Sequence, residues 1–313
     1  MDMMRCRVKV LLQVLLPVLL LALSARAGIV EDVRGALALN NFAAAQSELN
    51  AYQMQKGTSP EYLEAMSWMA RALLANAHYD QAEDYAKQTQ RLAVEQLKTR
   101  KLDAEEHLPT ALGAAVEVEA QAMAAQGHKP QAVSLLRGAL RSYANTSIEP
   151  RLQKNLNMLT LTGQPAPPLK APEHLGPAPA ALSEMKGSPV LLFFWAHWCV
   201  DCKGESPILA RLRTEYGPRG LMIVAPTQRY GYGARGEEAS PQAELQYIQN
   251  VWQQYYPGLA GVPVPVSQAN FKVYGASTTP TLVLIDRQGR ITFYHPGALP
   301  YAELRAAIDK AIE

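Results

Sequence analysis

An α-helical first half joined to an α/β second half, with a mixed sheet flanked by helices, is the architecture this sequence predicts. Three observations predict it. Up to about residue 162, alanine, leucine, glutamine and glutamate dominate and β-branched runs are few. Beyond a proline-rich stretch, short apolar runs alternate with amphipathic helical patterns, which implies a sheet covered on both faces. Within that second half, Cys199 and Cys202 sit where an apolar run gives way to a helix.

The chain has 313 residues and a net charge of +2. That length suits two ordinary domains, and so even a charge balance carries no footprint for nucleic acid or an acidic membrane surface. The first residues carry Arg5, Arg7 and Lys9, followed by an apolar run over 10–23 and then Ala25-Arg26-Ala27. A basic start, a short apolar core and an A-x-A site predict an export signal over 1–27, cleaved after Ala27. The run is shorter than the roughly 20 residues a membrane-spanning helix needs. Cys6 would leave with the signal, so two of the three cysteines remain. The expected destination, the bacterial periplasm, is oxidising.

Helical periodicity predicts helices over 29–39, 60–77, 80–97, 104–126 and 130–143. In the second, Leu63, Met66, Ala70, Leu73 and Ala77 share one face. The junctions repeat weakly: Asn40-Asn41-Phe42-Ala43-Ala44-Ala45, Ala77-His78-Tyr79-Asp80-Gln81-Ala82 and Gly127-His128-Lys129-Pro130-Gln131-Ala132 each give a small or polar turn, then a helix with an early alanine. This pattern over 28–162 resembles degenerate tetratricopeptide (TPR) repeats, with irregular spacing in place of the usual period of about 34. A plain helical bundle is the simpler alternative. The resemblance implies a groove for a protein ligand, which no residue identifies.

Prolines 165, 167, 168, 172, 177 and 179 make 163–180 an extended linker if taken alone. After it, 189–195 reads as a buried strand, 203–216 as a helix, 221–226 as a strand, 242–256 as a helix and 262–266 as an extended piece. A short helix over 270–274, a hairpin of strands over 281–286 and 291–295, and a closing helix over 301–312 complete the order.

The cysteine pair carries the chemistry. Cys199 falls at a helix N-terminus, where unpaired N–H groups and the helix dipole favour an anion, here a thiolate. Cys202 lies one turn on, close enough to close a short disulfide and release a bound partner. A zinc site would need further ligands at metal spacing, and the chain has no second Cys-x-x-Cys and no His-x-x-x-His. A purely structural bridge over so short a loop would gain little. No metal and no organic cofactor is expected beyond this redox-active disulfide.

Residues 194–207, FWAHWCVDCKGESP, together with 273–290, VYGASTTPTLVLIDRQGR, resemble the TlpA/ResA-like branch of the thioredoxin superfamily. The resemblance covers 163–313, including the segments 163–167 and 181–187, and places the domain boundary near Gly163. It implies a thioredoxin-like redox domain in which Cys199 attacks a partner disulfide and Cys202 resolves the intermediate. It also implies a cis bond before Pro280, with Thr279 and Pro280 holding the partner's chain and Trp198 beside them, and a Glu205 that tunes the thiols and moves protons. A first-turn glutamate also suits a helix dipole without any such role.

Two departures matter. Thioredoxins carry a buried aspartate six residues before the first cysteine, where this chain has Phe193. Asp201, between the cysteines, opposes a thiolate unless it points to solvent, which favours a more reducing couple. His197 is read as a loop residue. The glycine-rich insert 227–241 begins at a strand's C-terminal end, so Tyr230, Tyr232 and Arg229 are expected on the Cys199 rim, with Tyr230 as a substrate-facing lip. A flexible surface loop is the alternative.

The resemblance thus implies an exported thiol–disulfide oxidoreductase that reduces protein partners, supplied with electrons by a membrane thiol donor. A disulfide oxidase or isomerase, or a TPR scaffold whose redox half only locks or reports binding, are the alternatives.

Overall fold

The computed structural model describes residues 28–312; the expected export signal and Cys6 lie outside them. Seven α-helices come first: α1 (Ile29–Ala38), α2 (Phe42–Lys56), α3 (Pro60–Ala75), α4 (Tyr79–Gln96), α5 (His107–Ala125), α6 (Lys129–Ser142) and α7 (Glu149–Thr160). α5 is the central helix. Its Ala111, Ala114, Ala115 and Ala122 are fully buried, and side chains that small let α3, α4, α6 and α7 come close on several sides. No helix among the described residues is long and apolar enough to cross a membrane.

The repeated junctions share one geometry. Asn40, Ala77 and Gly127 all adopt left-handed backbone conformations, with φ of 53°, 58° and 89°. Five residues after each, Ala45, Ala82 and Ala132 are fully buried. One residue reverses the chain, and an alanine then permits close contact with the preceding helix. Asn145, φ 61°, reverses the chain between α6 and α7 in the same way.

The second half holds β1 (Glu173–Leu175), β2 (Val190–Phe194), α8 (Val200–Tyr216), β3 (Met222–Val224), α9 (Pro241–Tyr255), β4 (Val264–Val266), α10 (Gln268–Tyr274), β5 (Thr281–Ile285), β6 (Ile291–Pro296) and α11 (Tyr301–Ile312). The main sheet runs β3-β2-β5-β6. β3 is parallel to β2, and β2–β5 and β5–β6 are antiparallel. Successive strand residues face opposite ways. Leu191, Phe193, Leu282 and Leu284 join the core formed with α8, α9 and α11. Val190, Leu192, Phe194, Val283 and Ile285 join the core that includes Phe271 and Tyr274 of α10. The mixed sheet is therefore covered on both faces, as its unbroken apolar strands require.

The proline-rich stretch is docked rather than free. Gly163 N–H donates to Ile291 O at 2.7 Å, Ile291 N–H to Gln164 O at 2.9 Å, and Ala166 N–H to Gly289 O at 2.9 Å. Further along, β1 pairs antiparallel with β4. An extended chain suits prolines, and their missing donors are tolerated at a sheet edge.

The two halves meet where α7 crosses α10. Asn157 Nδ2 donates to Val273 O at 3.0 Å, and Lys272 pairs loosely with Glu149 at 3.6 Å. Gly275 ends α10 with φ +63°, and a Cβ there would fall 2.8 Å from Lys154 N and 2.9 Å from Lys154 Cα. Gly275→Ala is therefore expected to destabilise the contact by at least about 1–2 kcal/mol, the cost of left-handed backbone alone, before α7 is pushed aside. Thermal melting and limited proteolysis across 160–170 check this. An unchanged melting profile would remove the glycine's role at the contact.

Candidate functional site

The site begins under the sheet. Trp195 is wholly buried, and its indole N–H donates to Ala225 O at 3.1 Å. Its ring lies 5.0 Å from both Trp252 and Tyr256, which stack on each other at 4.7 Å. This aromatic block supports the turn from β2 into α8. Thr227 Oγ1 donates to Trp195 O at 2.9 Å and fixes the far side of the turn.

On that support Cys199 forms the N-cap of α8. Its Sγ accepts the Cys202 N–H at 3.0 Å, and the two cysteines are joined in a disulfide with Cα atoms 5.3 Å apart. Cys199 Sγ also lies 3.4 Å from the Thr279 carbonyl oxygen. The Thr279–Pro280 bond is cis, and Pro280 is buried. Cys202 is fully buried while Cys199 is 3% exposed, so Cys199 is the sulfur nearer solvent. Trp198 and Val200 flank it at 47% and 77% exposed. Large apolar side chains left open beside a buried reactive group mark a contact surface for another molecule. Asp201 is exposed and turned to solvent.

Glu205, one turn after Cys202 on α8, is buried and meets the Leu299 N–H at 3.3 Å through Oε2. Its Oε1 has no hydrogen-bond partner among the described residues. Burial pushes its carboxyl up to about 7, and the Leu299 hydrogen bond only partly opposes this.

The start of the 227–241 insert is held to α9. Glu244 of α9 accepts the backbone N–H groups of Tyr230 and Gly231, and its carboxylate lies 3.4 Å from His197 Nε2. The His197 ring is wedged among Tyr230, Tyr232 and Tyr247, with centroids 5.3–5.5 Å away. Burial holds the imidazole below its ordinary range, against the pull of Glu244. His197 is thus a loop residue, in the turn from β2 into α8, packed into the site wall rather than standing as a cation beside Cys199. Tyr230 is half-buried, and its ring meets Trp198 at 5.5 Å. It forms the wall behind Trp198 more than an open lip.

The structure therefore gathers Cys199, Cys202, Trp198, Thr279, Pro280 and Tyr230 at one rim, with Glu205 buried one turn further along α8. Sequence reasoning missed Glu244. Its signal was a carboxylate on the apolar stripe of α9, in register with Ile248, Val251 and Trp252, where an uncompensated charge is costly.

Residues 161–308 match the Redoxin family model. The thiol:disulfide interchange protein DsbE of Xylella fastidiosa is 29% identical over 140 residues, 44% of this chain and 63% of that protein. The thiol-disulfide oxidoreductase ResA of Oceanobacillus iheyensis is 36% identical over 75 residues, 23% of this chain and 39% of that one. The chain thus spans less than two thirds of the length of these relatives. The crystal structure of a putative DsbE from Chlorobium tepidum is 26% identical and covers 49% of this chain and 98% of that one, with a TM-score of 0.40. The redoxin match begins at the end of α7 and takes in the sheet, both cysteines and the cis-proline loop.

Proposed function

We propose that this protein is an exported thiol–disulfide oxidoreductase that reduces disulfides in partner proteins through Cys199 and Cys202. The observation that carries the reading is the Cys199–Cys202 disulfide at the N-terminus of α8, set against the Thr279 carbonyl under an exposed apolar rim. In the reduced protein the Cys199 thiolate attacks a partner disulfide, forms a mixed disulfide and expels one partner thiolate. The Cys202 thiolate then attacks Cys199 Sγ, and the second partner sulfur leaves. Two electrons pass to the partner and the 199–202 disulfide forms. Thr279 and Pro280 hold the partner's chain, with Trp198 and Tyr230 beside it.

The surroundings of Cys199 Sγ support this direction, because they offer little to an anionic sulfur. One backbone N–H and the helix dipole favour it, while the Thr279 carbonyl faces it and His197 is neutral. Lys203 lies over the Tyr255 ring at 4.6 Å. A weakly stabilised thiolate makes the disulfide the stable form and the couple a reducing one. A reductase in an oxidising periplasm then needs a membrane thiol donor. The helical half acts as a TPR-like module beside it.

The test is the reduction potential of the pair, equilibrated against glutathione or dithiothreitol buffers. A value near thioredoxin's, about −270 mV, is expected. A value near −120 mV, the oxidant end of the scale, would reverse the direction and indicate disulfide formation.

A further inference from the structure

A cavity of about 510 Å³ lies between α7 and α10, walled by Glu149 and Gln153 on one side and by Gln268 and Lys272 on the other. Gln228 and Ser277 also line it. Gln228 follows Thr227, the residue that holds the Trp195 carbonyl. Ser277 stands two residues before Thr279, whose carbonyl faces Cys199 Sγ. The groove therefore starts where the cysteine rim ends. An extended chain advances roughly 3.3 Å per residue, so one laid over Thr279 with its sulfur on Cys199 enters the groove within a few residues.

The lining suits a peptide backbone. Gln153, Gln228 and Gln268 each present a carboxamide, which offers both an acceptor and donors, as a peptide group does. Gln153 uses Nε2 on Asn157 at 2.7 Å, and among the described residues its oxygen has no donor. Pro150, Ala269, Phe271 and Ala276 supply apolar ground between the amides. Glu149 and Lys272 offset each other, so the walls select neither an anion nor a cation.

We propose that this groove binds an extended polypeptide segment of the disulfide substrate, next to its reacting cysteine, so that the helical half takes part in selecting what Cys199 attacks. The proposal rests on the oxidoreductase reading above.

The full chain carrying Cys202→Ser tests both. It is reacted with an activated disulfide of a short peptide with a central cysteine and, separately, with glutathione disulfide, and amide hydrogen exchange is read on each product. The peptide adduct is expected to slow exchange across 149–153 and 268–277, and the glutathione adduct to slow it only around 279–281. The same pattern for both adducts overturns the groove and leaves the oxidoreductase reading standing. Failure to form either adduct overturns that reading and the groove with it. A second measurement uses Ala269→Trp, which fills the groove from the exposed start of α10. Its kcat/KM for reducing insulin is expected to fall about tenfold more than that for glutathione disulfide, one decade of differential binding. Equal losses, or none, speak against a polypeptide site.

Discussion

Cys199→Ser removes disulfide reduction, with a loss on the order of 10³-fold or more, the scale at which removal of a catalytic nucleophile falls. Cys202→Ser behaves differently. It leaves the attacking sulfur in place, so partners accumulate as mixed disulfides. The asymmetry follows from burial. Cys199 reaches the rim beside Trp198 and Val200, whereas Cys202 is fully covered and can attack only the sulfur of Cys199. An insulin-reduction assay, with non-reducing gels of the trapped species, distinguishes the two variants. If Cys199→Ser retained the biological activity, the redox half would be only a lock on a scaffold. If Cys199→Ser rather than Cys202→Ser trapped partners, the order of attack would be reversed.

Glu205→Gln slows the resolving step at neutral pH by about 10²-fold, the low end of what a positioned acid–base group contributes. With its carboxyl pushed up to about 7, Glu205 is divided between acid and carboxylate near neutrality, so it can take or give the proton that Cys202 loses or regains. The wild-type rate is expected to show an inflection near that value, which Glu205→Gln abolishes. Stability carries a second signature. The folded carboxyl binds its proton more tightly than the unfolded one, so Glu205 weakens the fold as pH rises from the ordinary carboxylate range through about 7. Below that window the burial of a neutral acid carries no such penalty. Denaturant titrations across the window should therefore show the glutamine variant gaining stability relative to wild type with rising pH. Parallel pH profiles for both proteins, in rate and in stability, would mean that Glu205 does not titrate there.

Much of this could be read from the residues because one signal dominated each place. Val190–Phe194 is apolar throughout and followed by a helical pattern, so the turn carrying Cys199 was legible without a structure. The closing helix needed only its amphipathic face, and its observed span, Tyr301–Ile312, matches. Where tertiary contacts supply the stability, the pattern is faint. α2 buries only Ala45 and Leu49, and α7 buries Leu152 beside Lys154, Asn155 and Asn157. α2 was read only as a helix following the Asn40-Asn41 turn, without an extent, and α7 went unread. Lys154 is held by Glu117 at 2.6 Å and Asn155 by Gln121 at 2.7 Å, partners 34 or more residues away. β1 lay hidden among prolines for the same reason, since its partner β4 is remote in the chain. In the site, the cysteines, Thr279 and Pro280 came from motifs, whereas Glu244 acts only through a loop folded back onto it.

The docked proline-rich stretch has a consequence for how this molecule can be approached. Residues 163–166 run along the start of β6, while β3 continues sideways through Ala225 and Thr227 to the segment around β4, and β4 in turn to β1. The β3 side of the main sheet and the start of β6 are thus covered, and among the described residues only the short outer edge of 292–296 is left open. Strand addition from a neighbour, the common route to both edge-to-edge aggregation and peptide capture by sheets, has little to build on. For a partner protein of the kind proposed above, that leaves the cysteine rim and the groove beside it as the place of encounter.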